Sequence, residues 1–275
     1  MSVLLALLSS LLWGTSDFLG GTAAKRLHAL VVVGASQAFA LVALLPLALL
    51  LGDQPTHVWA GPTAGLAGLI GLGAFYAALA EGTMGVVAPI AAGGAVVPVV
   101  VGLARGDEPS VLQLAGIAIA LVGVVLASGP ELSGGAGRRP LLLAVLAGAC
   151  FGIVIVLVAE GSKGGSGSIL VTLLVMRCTS VGLAFVGWAG RRGPPGVVRR
   201  DLPALAAIGL GDVSANLTFG LASRIGLLSV VSVLASLYPV VTVLLARQIH
   251  HERLRTAQIV GVVAALGGVA LIAGA

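Results

Sequence analysis

Residues 108–129 read E-P-S-V-L-Q-L-A-G-I-A-I-A-L-V-G-V-V-L-A-S-G, and residues 252–274 read E-R-L-R-T-A-Q-I-V-G-V-V-A-A-L-G-G-V-A-L-I-A-G. Adding 145 to the numbers from Gln113 onward lays Gln113 on Gln258, Gly116 on Gly261, Leu121 on Leu266, Gly123 on Gly268 and Gly129 on Gly274. Eight of the seventeen positions from 113 to 129 are identical. Chance matching of Leu, Ala, Val and Gly inflates such a count, so the aligned glutamines and the glycine spacing carry the weight. A period near half of the 275-residue chain is a duplication, not a stacked array of short repeats.

The rest of the chain obeys the same duplication. Adding 138 puts Trp13-Gly14 on Phe151-Gly152 and Lys25 on Lys163; adding 140 puts Gln37 on Arg177; adding 141 puts Gly85 on Gly226 and Pro98 on Pro239. The offset only grows along the chain, as insertions in loops between true repeats produce.

Composition fixes the environment. The chain is 58% hydrophobic and only 9% charged, whereas a soluble domain carries about a quarter of its residues as Asp, Glu, Lys and Arg. A helix of ~20 apolar residues crosses a ~30 Å hydrocarbon core. Ten such runs are predicted, near residues 3–22, 29–51, 60–80, 84–104, 111–128, 141–160, 168–189, 203–222, 226–246 and 256–274. The expected fold is an all-α integral membrane protein of ten transmembrane helices. Residues 1–129 form one five-helix repeat, 130–140 a Gly-rich linker and 141–275 the second repeat. Five is odd, so the halves enter the membrane from opposite sides. That 5+5 inverted repeat is the plan of secondary transporters, with a site near the midplane.

The net charge of +5 does not indicate nucleic acid, because the basic residues sit in short loops where they set topology. The arginine-rich, Ala/Gly/Val-rich composition suggests a bacterial source and a multi-pass protein of the inner membrane. No cleavable signal peptide is expected, and the first hydrophobic run stays as a span. Cys150 and Cys178 lie inside apolar runs and read as small buried hydrophobes, not a disulfide. His28, His57, His250 and His251 fall in loops without ligand spacing, so no metal and no cofactor are expected. Without a phosphate-binding loop the chain does not itself hydrolyse ATP.

Trp13-Gly14 late in the first span, the polar Thr15-Ser16-Asp17, Lys25 at the first turn, the prolines within spans four and nine, and the E-x4/5-Q-x2-G element opening spans five and ten together resemble the EamA-type transporters. These belong to the drug/metabolite transporter superfamily. The resemblance implies a ten-helix 5+5 carrier, often an exporter of amino acids, related metabolites or toxic compounds. It also implies a central cavity lined by spans one, three, four, six, eight and nine, with five and ten at the periphery.

Charge at membrane depth is costly unless it faces water or a partner, so each such residue is a candidate for function. Asp17 stands four-fifths along span one, and its repeat position is Ile155, so only one half carries the acid. It is a candidate for proton or substrate binding, against the reading of a solvated residue near the interface. Arg177 sits within span seven, and Asp212 and Asn216 share one face of span eight at i, i+4. An Arg177–Asp212 pair would neutralise both, either fixing helix register or holding a ligand's carboxylate and amine. Trp13, Tyr76 and Tyr238 are polar-tipped aromatics inside spans that could meet a ligand or simply pack. Pro89, Pro98 and Pro239 free backbone carbonyls and could kink helices around a cavity. Glu81 and Glu160, at span ends, are expected to be wet.

The function expected is therefore a secondary carrier, working as an exporter and a monomer, for small organic solutes such as amino acids, metabolites or drugs. Its partners are that small-molecule substrate, the lipid bilayer and protons as coupling ions. One Arg with two Asp suits a zwitterion, and a lipophilic cation is the alternative. A membrane enzyme or accessory subunit is the competing class, but no converging nucleophile, base or metal set supports an enzyme. Orientation is contested. Eleven Lys and Arg fall in loops after odd-numbered spans and three after even-numbered ones. The positive-inside rule then places both termini outside, whereas the family resemblance implies cytoplasmic termini.

Overall fold

A computed structural model of the chain describes residues 1–127, 138–190, 196–249 and 256–273. The helices are α1 (Ser2–Ala24), α2 (Ala29–Leu51), α3 (Ala60–Glu81), α4 (Met84–Ala104), α5 (Val111–Ala127), α6 (Arg138–Gly161), α7 (Ser168–Ala189), α8 (Leu202–Ile225), α9 (Leu228–Ile249) and α10 (Thr256–Ala273). A buried backbone in lipid must satisfy its own polar groups, and a helix is the one open-ended way to do so. Eight of these helices, α1–α4 and α6–α9, are long and apolar enough to cross a membrane, while α5 and α10 are shorter apolar helices. The helix starting at Arg138 begins three residues before the expected boundary. It takes in Pro140, which is tolerated there because the first turn of a helix needs no N–H from it. Most of the expected 130–140 linker lies outside the described residues.

Helices α4 and α9 are interrupted at corresponding places. In α4 a 3-10 turn at Gly93–Ala95 separates Met84–Ala92 from Val96–Ala104; in α9 a turn at 236–237 separates Leu228–Ala235 from Tyr238–Ile249. Pro98 and Pro239 fall in the first turn after each break, and Pro89 precedes the break in α4. The sequence predicts proline kinks; the structure has breaks, with the two later prolines starting the next helical segment.

Packing is reciprocal between halves. Helix α1 lies on α8 as α6 lies on α3; α2 meets α8 as α7 meets α3; α1 runs along α9 as α6 runs along α4. Helices α2 and α7 pair with each other, as do α5 and α10. Glycines make the close crossings possible. A Cβ on Gly123 would lie 2.4 Å from the backbone nitrogen of Ala265 in α10, which explains the glycine spacing of the duplicated stretch as packing. Hydroxyls also tie helices: Ser9 donates to the Ala215 carbonyl at 2.8 Å, Ser180 to Gly65 at 3.0 Å and Thr242 to Gly14 at 3.0 Å. The outward faces carry exposed Leu4, Val42, Leu50, Phe185 and Val186, as a lipid-facing surface requires.

Two expectations are corrected. Cys150 is buried, but Cys178 points outward from α7, because the face of a helix cannot be read from an unbroken apolar run. Glu81 is exposed as expected, whereas Glu160 is only 5% exposed, covered by residues arriving from other loops.

Candidate functional site

Between the halves lies a cavity of about 50 Å³, lined from α1 (Trp13, Asp17), α3 (Gly68, Leu72), α6 (Phe151, Val154, Ile155), α7 (Met176, Arg177), α8 (Asp212, Asn216) and α9 (Tyr238). One water needs ~10–15 Å³ of such space, so the cavity has room for a few waters in this conformation. Six of the seven side chains singled out by sequence meet here. Tyr76 does not line it: its ring is buried beneath α1, where a Cβ on Gly20 would strike it, and it packs on Phe75. Pro89, Pro98 and Pro239 do not line it either, although Tyr238, beside Pro239, does. The resemblance implied a lining from span four. Among the described residues α4 supplies none and α7 takes its place with Met176 and Arg177.

Glycine brings the aromatic wall into position. A Cβ on Gly14 would lie 2.5 Å from the Tyr238 carbonyl, at the break in α9; a Cβ on Gly152 would lie 2.4 Å from the Gly94 carbonyl, at the break in α4. These two glycines are repeat counterparts, so each first helix of a half leans on the opposite half's broken helix. The residues before them, Trp13 and Phe151, then face the cavity, as do Asp17 and its counterpart Ile155.

The two acids have opposite surroundings. Asp212 Oδ2 lies 2.9 Å from Arg177 Nη2 and accepts from Gln37 Nε2 at 3.0 Å. Its Oδ1 accepts from Trp13 Nε1 at 3.2 Å and Asn216 Nδ2 at 3.1 Å. Three hydrogen bonds and the Arg177 ion pair therefore surround the Asp212 carboxylate. Arg177, 1% exposed, donates Nη1 to Gln37 Oε1, while its Nε and Nη2 make no hydrogen bond, Nη2 facing Asp212 as an ion pair. Asp17 is 6% exposed, and among the described residues nothing donates a hydrogen bond to it or pairs with it. The Tyr238 hydroxyl and Asn216 Oδ1 are likewise buried without partners. Buried polar groups are normally satisfied by protein or water, so these orphans mark where water or a solute belongs.

Gln37 is the site residue that sequence reasoning missed. A single glutamine in an apolar run is unremarkable by itself, yet its repeat offset places it on Arg177. In the structure the counterparts touch each other, at the seam where α2 and α7 pair.

A family model for the EamA-like transporter family matches residues 1–129 and again 138–274. The chain belongs to the EamA-like transporter family. Both halves are copies of its repeat, and the chain is a multi-pass membrane protein of the drug/metabolite transporter superfamily. A solved crystal structure is similar in fold, with a TM-score of 0.75 over 98% of this chain and 95% of that one, at 19% identity. A search of curated proteins gave no significant match.

Proposed function

We propose that this EamA-family chain is a secondary carrier for small, amine-bearing organic solutes, exporting them in exchange for protons, with Asp17 as the group that alternates between the two. The observation that carries the reading is the contrast between the acids. Asp212 is held by three hydrogen-bond donors and the Arg177 ion pair, whereas Asp17 stands alone in the cavity wall. With Arg177 neutralised by Asp212, Asp17 is the one uncompensated charge among the lining residues, so the site favours a proton or an ammonium group over an anion. A protonated Asp17 that meets an ammonium solute releases its proton as the ion pair forms, and the reverse exchange occurs when the cavity opens to the other side. Apolar Leu72, Phe151, Val154 and Met176 opposite would hold the body of the solute.

The transport cycle follows from the duplicated halves. In this reading α5 and α10 are the ninth and tenth spans, the repeats are inverted, and they rock about the cavity. The protein works as a monomer in a bacterial inner membrane, both halves being present in one chain. Asp17→Asn is expected to abolish solute flux driven by a pH difference in proteoliposomes, with the protein still folded and monodisperse. Normal flux with unchanged pH dependence in that variant would refute the role of Asp17.

Orientation is proposed from the loop charges, which put the basic odd-numbered loops in the cytoplasm and both termini outside. A pair of reporters fused after Ala275, one active in the cytoplasm and one outside, should show external activity only. Activity confined to the cytoplasmic reporter would show that the family's usual topology overrides the charge bias.

A further inference from the structure

The end of the molecule that carries the loops after α2, α4, α6 and α8 is fastened by polar contacts crossing between the halves. Pro55 and Gly164 form an isolated antiparallel bridge, and the Thr56 amide donates to the Lys163 carbonyl at 3.1 Å. Asp53 Oδ2 accepts from the Gly167 amide at 2.9 Å, which caps the start of α7. Asp107 Oδ2 accepts from the Ser229 amide at 2.7 Å and does the same for α9. Each cap is therefore supplied by the opposite half.

Glu160 is the centre of this fastening. Its Oε1 meets the Arg105 guanidinium at the end of α4 and lies 2.9 Å from Lys163 Nζ. Its Oε2 lies 3.4 Å from His57 Nδ1 in the loop after α2. One buried carboxylate thus pairs with Lys163 of its own half and Arg105 of the other, with His57 of the other half beside it but not hydrogen-bonded. Between them runs the segment 161–167, with glycine at 161, 164, 165 and 167. It has little side chain to pack, so its polar contacts hold it in place. Arg224 adds to them by donating to the carbonyls of Gly164, Gly165 and Ser166. In the alternating-access reading, loading from this end requires these contacts between the halves to part.

We infer that Glu160 is the latch of a gate at this end of the carrier, with 161–167 as the strap that it fastens. The inference rests on the alternating-access reading above. Removing the carboxylate leaves Arg105 and Lys163 unpaired side by side, and their repulsion favours the state in which the halves have parted. The opposite end is not fastened through this cluster, so access from there should not rise.

The test needs no knowledge of the solute. Ile155→Cys, in a chain with Cys150→Ala and Cys178→Ala, places one thiol in the cavity wall. A membrane-impermeant methanethiosulfonate reagent is applied to each face in turn, on intact cells and on inverted vesicles. Glu160→Gln is expected to speed labelling from the face bearing the even-numbered loops about tenfold, the scale of losing a few modest ion pairs from one state. Glu160→Asp should label at the parent's rate. Arg105→Gln, at a half-exposed position, is expected to give a smaller rise of about threefold and decides the matter if Glu160→Gln does not fold. Unchanged labelling from that face in the folded variants overturns the latch. Equal acceleration from both faces also overturns it, since that is general loosening. A protein that moves no solute but shows the one-sided change would refute the transport reading and leave the gate standing.

Discussion

Asp212→Asn and Arg177→Met, made singly, are each expected to destabilise the protein by about 3–5 kcal/mol, the usual cost of stranding one member of a buried pair. Arg177 is 1% exposed and held by Asp212 and Gln37. Once the carboxylate is gone, a guanidinium with an already orphaned Nε is left among apolar walls. The reverse variant leaves Asp212 charged, with the neutral donors of Gln37, Trp13 and Asn216 as partial compensation, so Arg177→Met should be the milder of the two. The double variant Arg177→Met with Asp212→Asn removes both charges and is expected to be more stable than Asp212→Asn alone. Thermal unfolding in detergent checks this order. Strictly additive losses would mean that the two residues do not act as a pair.

A second large effect is expected from one methyl group. In Gly94→Ala the new Cβ would lie 1.9 Å from the Gly148 carbonyl of α6, and backbone cannot step aside as a flexible side chain can. Overpacking of this kind costs about 1–3 kcal/mol and occasionally more. Here it would also push α6, with Phe151, Val154 and Ile155, away from the cavity. At the neighbouring Gly93 a Cβ meets nothing within 4 Å, so Gly93→Ala should be nearly neutral. Gly94→Ala is therefore expected to lower both the unfolding midpoint and solute flux, while Gly93→Ala preserves both. Equal behaviour of the two variants would show that the α4–α6 crossing is looser than the structure has it.

Much of this was legible in the sequence because membrane spans are written in long apolar runs, and their ends in charges and turns. The start of α2 at Ala29 and the span from Met84 to Ala104 need no tertiary information. The breaks in α4 and α9 were half legible. Pro98 and Pro239 announce an irregularity, but whether a proline bends a helix or starts a new one depends on what packs beside it, here Gly152 and Gly14. Its place at a span end makes Glu160 look wet, because Lys163 is its one local partner while the cover of Arg105 and His57 comes from loops distant in sequence. Asp17 and Asp212 look alike as letters in apolar runs. Only the count of donors reaching each carboxylate separates a structural acid from a free one.

The contact between Gln37 and Arg177 has a consequence for the history of the chain. In an ancestor built from two identical copies, this seam would set a residue against itself. Two arginines there would repel, and two glutamines would leave Asp212 without its cation. The present pairing therefore commits each half to a different complement, and neither half could replace the other as a self-associating subunit. With both halves in one polypeptide, the seam need not be self-complementary, and a single, one-sided acid such as Asp17 is compatible with it.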